Sequence, residues 1–298
     1  MESLYTQLRR CRVRCNGKPF IEKHAKTTQH DCVAEQCRPH VCRPMAASTV
    51  RQIHSVMSGT LAAAERWDWI SSNPARIARR PRQKPPEPDP PSPAEAARLV
   101  EEAFRMDVDW GTLVWLVMTT GMRRGELCGL RFSRLDLDGE VIDLRRSWVG
   151  GREKDTKTHQ ARRIALDNET VVLLRKQRAR VAERVRSLGA AFTDDLFVFA
   201  GTRTLDHTQP YSPNAVTQRY KDMATRLDID SHLHALRHYS ATELLSAGVD
   251  LRTVAGRLGH GGGGATTLRV YAAWVAASDR KAAEILGSRM PKLPQSSE

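Results

Sequence analysis

Residues that could handle a phosphate ester gather near the C-terminus of the sequence. His234 and Arg237 are three residues apart, so on a helix they share one face and can reach one target together. His260 stands at the tip of the next helical pattern, and Tyr271 lies on a helical pattern that resumes after the glycines at 261–264. A tyrosine hydroxyl can act as a nucleophile, and a guanidinium can bind phosphate oxygens in pairs. The stretch predicts half of a DNA-cutting active site, with Tyr271 as its nucleophile.

A structural role competes with this interpretation of Tyr271. The residue is at helical spacing with Leu268 and Val275. Taken alone, it would more readily be a half-buried core tyrosine, as Tyr220 and Tyr239 would be. Only the neighbouring histidines and arginine favour the catalytic role.

The length and net charge of the chain indicate its domain number and its class of partner. The chain has 298 residues and a formal net charge of +13, which allows two domains and suggests nucleic acid as a partner. The alternative is a solvated basic surface. The sequence contains neither an apolar run long enough to cross a bilayer nor the apolar core of a signal peptide. We therefore expect a soluble intracellular protein.

Cysteine is concentrated at the N-terminus. Five of the six cysteines fall within the first 42 residues, beside three histidines. Since a reducing cytosol disfavours disulfides, a structural zinc site is the sharper hypothesis and plain reduced thiols are the alternative. The candidate ligands are Cys11, Cys15, Cys32, Cys37, His40 and Cys42. Cys128 lies in an apolar helical stretch and is expected in the core.

The N-terminal region predicts a small all-α domain. A short helix is expected around Tyr5 to Arg9, and a longer one is expected to start at Ser48, which can cap it. A basic run then leads into a proline-rich stretch, which predicts an extended linker. The resulting boundaries are a domain at 1–83, a linker at 84–92, a larger domain at 93–290 and a tail at 291–298.

Helices and a few strands are expected in the larger domain. Ser92 and Glu95 form a capping box for a helix that ends near Met106. A buried helix ends at Gly121, and a short helix follows in which Arg123 and Glu126 can pair.

The second half of this domain predicts a small antiparallel sheet. Residues 140–150 and 162–167 alternate as strands, joined by a polar turn that carries Lys157. Beyond it, the predicted elements are a helix over 171–186, a short strand at 197–200 and a helix over 212–227.

Two further helices are expected after these elements. Leu233 and Leu236 supply part of the buried stripe of the first. Asp250 can cap the second, and Gly259 ends it.

Five motifs then occur in a fixed order. TTGMRRGELCGLRF, the lysine turn, HALRH, LGH and LRVY follow one another along the chain. In this order the sequence resembles the tyrosine recombinases, the phage integrase family, over about Ser48 to Gly287. The cysteine-rich start is also similar to integrases of actinobacterial mobile elements. The resemblance implies a mainly α fold with a small antiparallel β-sheet, in which a tyrosine recombinase catalytic domain follows a partial all-α core-binding domain.

The resemblance also implies a site and a reaction, site-specific recombination by cutting and rejoining DNA. The implied catalytic residues are Arg123, Lys157, His234, Arg237, His260 and Tyr271. Tyrosine would attack the scissile phosphate, and the arginines would offset charge in the transition state, so no cofactor is needed for catalysis. Lysine would protonate the leaving 5′ oxygen and His234 would accept or position the tyrosine proton, while His260 would bind the phosphate. Lys154 is the alternative to Lys157 as the catalytic lysine. The simpler interpretation of Arg124 is a surface charge.

The implied partner is double-stranded DNA, in the bacterial cytoplasm at the nucleoid and with no membrane. A homotetramer on paired sites is implied, together with excision factors or host DNA-bending factors. The chain is expected to begin inside the core-binding domain, so weak DNA binding and a truncated enzyme are expected. The competing functions are a DNA-binding remnant without recombination activity and a type IB topoisomerase-like strand cleavage.

Overall fold

The computed structural model describes residues 1–21, 30–83, 88–155, 161–202 and 204–260. The chain divides into two compact units, Met1–Pro85 and Pro86–Glu298. Across these described ranges, no helix combines the length and the apolar run that a bilayer crossing requires.

The N-terminal unit contains two α-helices within its described residues. They are α1 (Glu2–Arg10) and α2 (Ala47–Arg66), and a 3₁₀ turn follows at Pro74–Arg76. Helix α2 begins one residue before Ser48, which lies inside the helix and does not cap it. Tyr5 and Leu8 of α1 pack against Val50 of α2. The Tyr5 hydroxyl is 2.7 Å from His54 Nδ1.

The larger unit is mainly helical. Its helices are α3 (Pro93–Met106), α4 (Val108–Thr120), α5 (Arg124–Cys128), α6 (Asn168–Ser187), α7 (Pro213–Arg226), α8 (Leu233–Ser246) and α9 (Leu251–Leu258). Helix α4 is buried around most of its circumference and packs against α3, α6 and α8. The capping box predicted at Ser92 is present, since Glu95 N donates to Ser92 Oγ and Ser92 N donates to the Glu95 carboxylate.

Five short strands form two sheets in the described part of this unit. They are β1 (Leu135–Asp136), β2 (Val141–Leu144), β3 (Arg146–Val149), β4 (Arg152–Asp155) and β5 (Arg162–Ala165). One sheet has the order β1-β2-β5 and the other is the hairpin β3-β4, with all pairs antiparallel. The small antiparallel sheet predicted from the sequence is therefore split. The stretch predicted as one strand over 140–150 leaves the first sheet after Leu144 and joins the second at Arg146.

The strand predicted at 197–200 is wrong. Within this stretch only Phe197 makes a bridge, to Arg131. Its backbone groups bond alternately to two other segments, with Phe197 N donating to His207 O, Val198 N to Leu130 O and Tyr211 N to Phe199 O. Since the bonding partner changes from residue to residue, no continuous ladder forms, although the side chains of Phe197, Val198 and Phe199 are buried.

Gly121 lies at the contact between the end of α4 and α9. It ends α4 in the left-handed region, with φ 63° and ψ 24°. A Cβ at this position would overlap the Leu258 side chain of α9. Only glycine meets both requirements, because other residues pay for the left-handed conformation and also need space.

We predict that Gly121→Ala destabilises the larger unit by about 1–3 kcal/mol more than Gly248→Ala. Gly248 has φ 85°, and a Cβ added there would have no atom within 4 Å. Its replacement therefore isolates the conformational cost, which is about 1–2 kcal/mol. The free energy of unfolding of each variant is measured by urea unfolding, followed through hydrogen exchange of peptides from α4 and α8. Equal losses in the two variants would mean that Leu258 moves aside freely.

Candidate active site

Arg123 stands at the start of a short helix and faces two partners. It is the N-cap residue of α5, with extended backbone. Its backbone N donates to Glu126 Oε2 at 2.8 Å, its Nη1 donates to Glu126 Oε1 at 2.9 Å, and its Nη2 donates to Gly259 O at 2.6 Å. The predicted pairing of Arg123 with Glu126 is therefore present. The bond to Gly259 holds the guanidinium against the end of α9.

Glu126 is buried between two arginines. Its side chain accepts bonds from Arg162 Nη1 at 2.9 Å and Arg162 Nη2 at 2.7 Å, in addition to those from Arg123. Burial by itself raises the pKa of Glu126, but the hydrogen bonds and charge of Arg162, together with Arg123, outweigh it and lower the pKa. The carboxylate is thus charged at neutral pH and orients both guanidiniums.

Arg162 was not among the predicted site residues. It begins β5, and its Nε also donates to Arg257 O at 3.0 Å, so it links the sheet to α9. A signal for this role exists in the sequence. Alternation along a strand puts Arg162 on the same face as Ile164, which is buried. An arginine in phase with a buried apolar residue needs an anionic partner, and Glu126 is that partner.

Arg237 is the most buried charged group among the predicted site residues that the structure describes, with 2% of its surface exposed. It lies on α8, where Leu233 and Leu236 are also buried, as their spacing predicted. Its Nη1 donates to Gly121 O, and its Nη2 donates to Leu258 O at 2.7 Å. The guanidinium is therefore fixed between the end of α4 and the end of α9.

The end of α9 carries His260. Asp250 caps the start of this helix through Arg252 N and Thr253 N, as predicted. At its other end Gly259 adopts φ 65° and ψ 45°, Gly259 N donates to Gly256 O and His260 N donates to Ala255 O. This pair of bonds is a Schellman motif, and it fixes the backbone of His260 beside the arginines. A Cβ at Gly259 would lie 2.5 Å from Arg162 Nη1.

Three histidines share the positive surroundings. Burial, followed by the charge of His238 and Arg237, lowers the pKa of His234 to about 4. Burial and the charges of Arg237 and Arg123 lower the pKa of His260 to about 4 as well. His238 stacks edge-on against His234 at 4.8 Å, and burial and His232 lower its pKa to about 4. All three rings are therefore neutral at pH 7, and His234 can accept a proton.

An open cleft of about 660 Å³ borders two of these residues, Arg123 and His234. Its wall consists of Arg123, Arg124, Gly125, Ser147, Trp148, Val149, Gly150, Gly151, Gln209, Pro210, Ser212, Pro213, Asn214 and His234. Arginine, amide and hydroxyl groups predominate among its polar residues, and none of these wall residues is acidic. Such a wall suits a polyanion.

Two of the six predicted catalytic residues, Lys157 and Tyr271, lie outside the described residues. The other four are Arg123, His234, Arg237 and His260. Arg123 and Arg237 bond to the last carbonyls of α9, His260 follows that helix, and His234 lines the cleft with Arg123. Lys154, the rival lysine, lies on β4 opposite Ser147. Because cross-strand pairs share a face of a sheet, Lys154 lies on the same side as a residue of the cleft wall.

The candidate zinc ligands fall into two groups. The first Cys/His group comprises Cys11, Cys15, His40 and Cys42, and the second Cys/His group comprises His30, Cys32 and Cys37. Within each group the potential ligand atoms all lie within 4.8 Å of one another. The six residues predicted from the sequence are thus divided between two places, and His30 joins them. Cys128 is buried in the core of the larger unit, as expected.

Comparison with known proteins places this arrangement in a family context. The sequence profile described as "Phage integrase family" matches residues 93–276. The tyrosine recombinase XerC of Xanthomonas axonopodis pv. citri is 32% identical over 197 residues, which cover 64% of this chain and 56% of that protein. The chain spans about half the length of the curated relatives it matches.

Solved structures share the architecture. The crystal structure of XerA recombinase is 25% identical, with a TM-score of 0.51 over 70% of this chain and 68% of that one. The Tn1549 transposon integrase, solved in complex with a circular intermediate DNA, is 18% identical, with a TM-score of 0.62 over 80% of each chain. These similarities confirm the predicted mainly α fold with small antiparallel sheets.

The neutral histidines predict a pH dependence of stability. A histidine whose pKa falls to about 4 on folding binds fewer protons in the folded than in the unfolded state, where the ordinary value is about 6.5. Stability is therefore full above pH 6.5 and is lost as the pH falls from 6.5 towards 4. We predict that His238→Gln reduces the loss between pH 7 and pH 5 by about 1 kcal/mol, after allowance for solvent screening.

Urea unfolding of the larger unit at pH 7, 6 and 5 measures this effect. His207 and the acidic groups are present in both proteins, so their effect on stability is common to the two profiles. Carboxylates of lowered pKa, such as Glu126, change the stability only below this pH range. Parallel pH profiles for the two proteins would contradict the prediction.

Proposed function

Because the chain belongs to the phage integrase family, we propose that it is a site-specific DNA recombinase that cuts and rejoins strands through a 3′-phosphotyrosyl intermediate. The single observation that carries the proposal is the convergence of Arg123 and Arg237 on consecutive carbonyls, those of Gly259 and Leu258, beside His260. Arg123 lines the open cleft and Arg237 is fixed on the neighbouring carbonyl. Such a pair of guanidiniums matches one phosphate with two non-bridging oxygens.

We propose that the arginines stabilise the charge that develops on the phosphate. Arg123 keeps 27% of its side chain exposed and forms part of the cleft wall. Arg237 is buried and is held on two carbonyls. Donors that are oriented before the substrate arrives need no reorganisation in the transition state, which is the main source of electrostatic catalysis.

The proposed reaction conserves the energy of the phosphodiester. The Tyr271 oxygen attacks phosphorus and forms the tyrosine–phosphate bond, while the bond from phosphorus to the 5′ oxygen breaks. The tyrosine proton goes to neutral His234, and Lys157 gives a proton to the leaving 5′ oxygen. His260 binds a phosphate oxygen. In the rejoining step, a 5′ hydroxyl of the partner strand attacks the phosphotyrosine and releases the tyrosine.

The wider assembly is also a proposal. We assign residues 93–290 as the catalytic domain and 1–83 as part of a core-binding domain, with the proline-rich segment 84–92 between them. The partner is double-stranded DNA in the bacterial cytoplasm, bound by four copies on paired sites, with excision or DNA-bending factors as further partners. Zinc in this chain is proposed to be structural, because the Cys/His groups belong to the N-terminal unit and the candidate active site belongs to the larger one.

Covalent trapping tests the proposal. A pool of nicked duplexes with a randomised core lets the short downstream strand diffuse away after cleavage, so the covalent complex accumulates. We predict an adduct that resists denaturant in the native protein and none in Tyr271→Phe, because the phenyl ring has no nucleophilic oxygen. Denaturing electrophoresis detects the adduct, and sequencing of the trapped DNA identifies the site.

The controls separate the alternatives. Tyr220→Phe is the matched control, since this buried tyrosine bonds to Ser231 within the core. An adduct that persists in Tyr271→Phe contradicts the assignment. Binding without any adduct indicates the DNA-binding alternative. Relaxation of a plasmid with one recovered site, without strand exchange between two sites, indicates the topoisomerase alternative.

A second prediction concerns the arginine at the cleft. Arg123→Ala should slow adduct formation by roughly 10²–10³-fold, because an oriented donor to the transition state is lost. Arg124→Ala is its matched control, since Arg124 lines the same cleft but donates to Thr217 Oγ1 at 2.7 Å. Single-turnover rates at saturating DNA distinguish a lost transition-state contact from weaker binding. Equal effects in the two variants would make Arg123 an ordinary backbone contact.

A further inference from the structure

The N-terminal unit has little apolar material to hold it together. Among its described residues, the hydrophobic cluster has only Tyr5, Leu8 and Val50 at its centre. The connection between α1 and α2 crosses residues 11–46 without a helix or strand in the part that is described. Small units with so little core usually require a metal or covalent cross-links.

The first Cys/His group lies where this connection leaves α1 and where it approaches α2. Cys11 directly follows the last residue of α1, and Cys42 lies five residues before α2 begins. Two backbone bonds hold the outgoing and returning segments side by side next to the group, with Arg12 N donating to Arg43 O at 2.8 Å and Met45 N donating to Leu8 O at 2.9 Å. The ligand-bearing segments are thus positioned by the backbone as well as by the side chains.

The spacing of the atoms fits a tetrahedral ion. Cys11 Sγ is 3.1 Å from His40 Nε2, and Cys15 Sγ is 3.4 Å from Cys42 Sγ. With Zn–S bonds of about 2.3 Å, tetrahedral geometry puts sulfur atoms about 3.8 Å apart and a sulfur and a nitrogen slightly closer. All four ligand atoms lie within 4.8 Å of one another, so small shifts suffice to surround one ion.

The turns beside the ligands also have the tight geometry that such a site needs. Arg14 and Asn16 adopt positive φ angles of 52° and 54° on either side of Cys15, and Gly17 follows at 81°. Lys18 N donates to Cys15 O at 3.0 Å and closes the turn. Left-handed conformations at two non-glycine residues are costly, and they persist where surrounding contacts fix them.

We propose that the first Cys/His group binds one structural zinc ion that ties α1 to the start of α2. Three thiolates and one imidazole form a closed set of four ligands, which is the composition of structural zinc sites and leaves no position for a substrate. The ion contributes folding energy to the N-terminal unit because its ligands are brought together only in the folded chain. This inference stands independently of the proposed recombinase activity.

The second Cys/His group is the natural comparison. His30 Nε2 is 3.2 Å from Cys37 Sγ, and His30 Nδ1 is 2.9 Å from Glu35 Oε2. It offers three ligands among the described residues, against four in the first group. Its variants therefore serve as a matched control, because they remove the same residue types from the same unit.

Metal content of the full chain tests the proposal. The protein is expressed in medium supplemented with zinc, purified with a non-chelating reductant and dialysed against metal-free buffer. We expect at least one equivalent of zinc per chain by mass spectrometry of the metal. Cys15→Ser combined with Cys42→Ser should lose one equivalent relative to the native chain, and Cys32→Ser combined with Cys37→Ser should retain at least one. His40→Cys should keep the ion, because it preserves four ligands, whereas His40→Ala should lose it.

Two further readouts define the site and its role. Cobalt added to zinc-free protein should give the visible bands of a tetrahedral ion and a thiolate charge-transfer band, which strengthens in His40→Cys as a fourth thiolate is added. Removal of zinc by a chelator should speed hydrogen exchange at 1–21 and 30–54 and leave 93–150 unchanged. The proposal is overturned by a native chain without stoichiometric zinc, by a disulfide between Cys15 and Cys42 in its place, by a zinc content that does not fall when both these cysteines are replaced, or by exchange that is insensitive to the chelator.

Discussion

The buried carboxylate of Glu126 is the group on which the candidate active site depends. It is 1% exposed and accepts hydrogen bonds from two guanidiniums, those of Arg123 and Arg162. A buried charge is tolerated only when it is paired and hydrogen-bonded, and removal of one partner from such a pair costs about 3–5 kcal/mol. The same bonds join α5 to β5, and Arg162 extends them to α9 through Arg257 O. Neutralising Glu126 would therefore release the orientation of Arg123 and the docking of α9 together.

The end of α9 supplies the complementary constraint. The last carbonyls of a helix have no partner within the helix and carry a partial negative charge. Here the Schellman bonds satisfy Ala255 and Gly256, while Leu258 and Gly259 accept from Arg237 and Arg123. The bonds from Arg237 and Arg123 thus cap the helix and orient the two guanidiniums at the same time. Since Gly259 lies against Arg162 and Gly121 lies against Leu258, the two glycines set how closely α9 approaches, and with it the position of His260.

Local signals in the sequence predicted most of the elements that carry the site. The Ser92 box, the Asp250 cap and the glycine that ends α9 each act within a few residues, so their chemistry can be seen without the fold. Pairing over distance could not be seen. Arg162 and Glu126 are 36 residues apart, and the alternation that marks Arg162 as inward-facing does not name its partner. The split of one predicted strand into β2 and β3 has the same origin, because periodicity gives the face of a strand and not its neighbour.

The two Cys/His groups also show that spacing along the chain does not give the partners of a residue in the fold. Spacing along the chain counted six candidate ligands, but Cys15 approaches Cys42, which is 27 residues away, and Cys11 approaches His40, which is 29 away. Which residues share a site is decided by the backbone bonds that align residues 12 and 43. The larger unit restrains its long-range contacts with an extensive apolar core and a buried ion network. The N-terminal unit has a far smaller core, so coordinate bonds are the strongest means that its sequence offers for restraining the connection between α1 and α2.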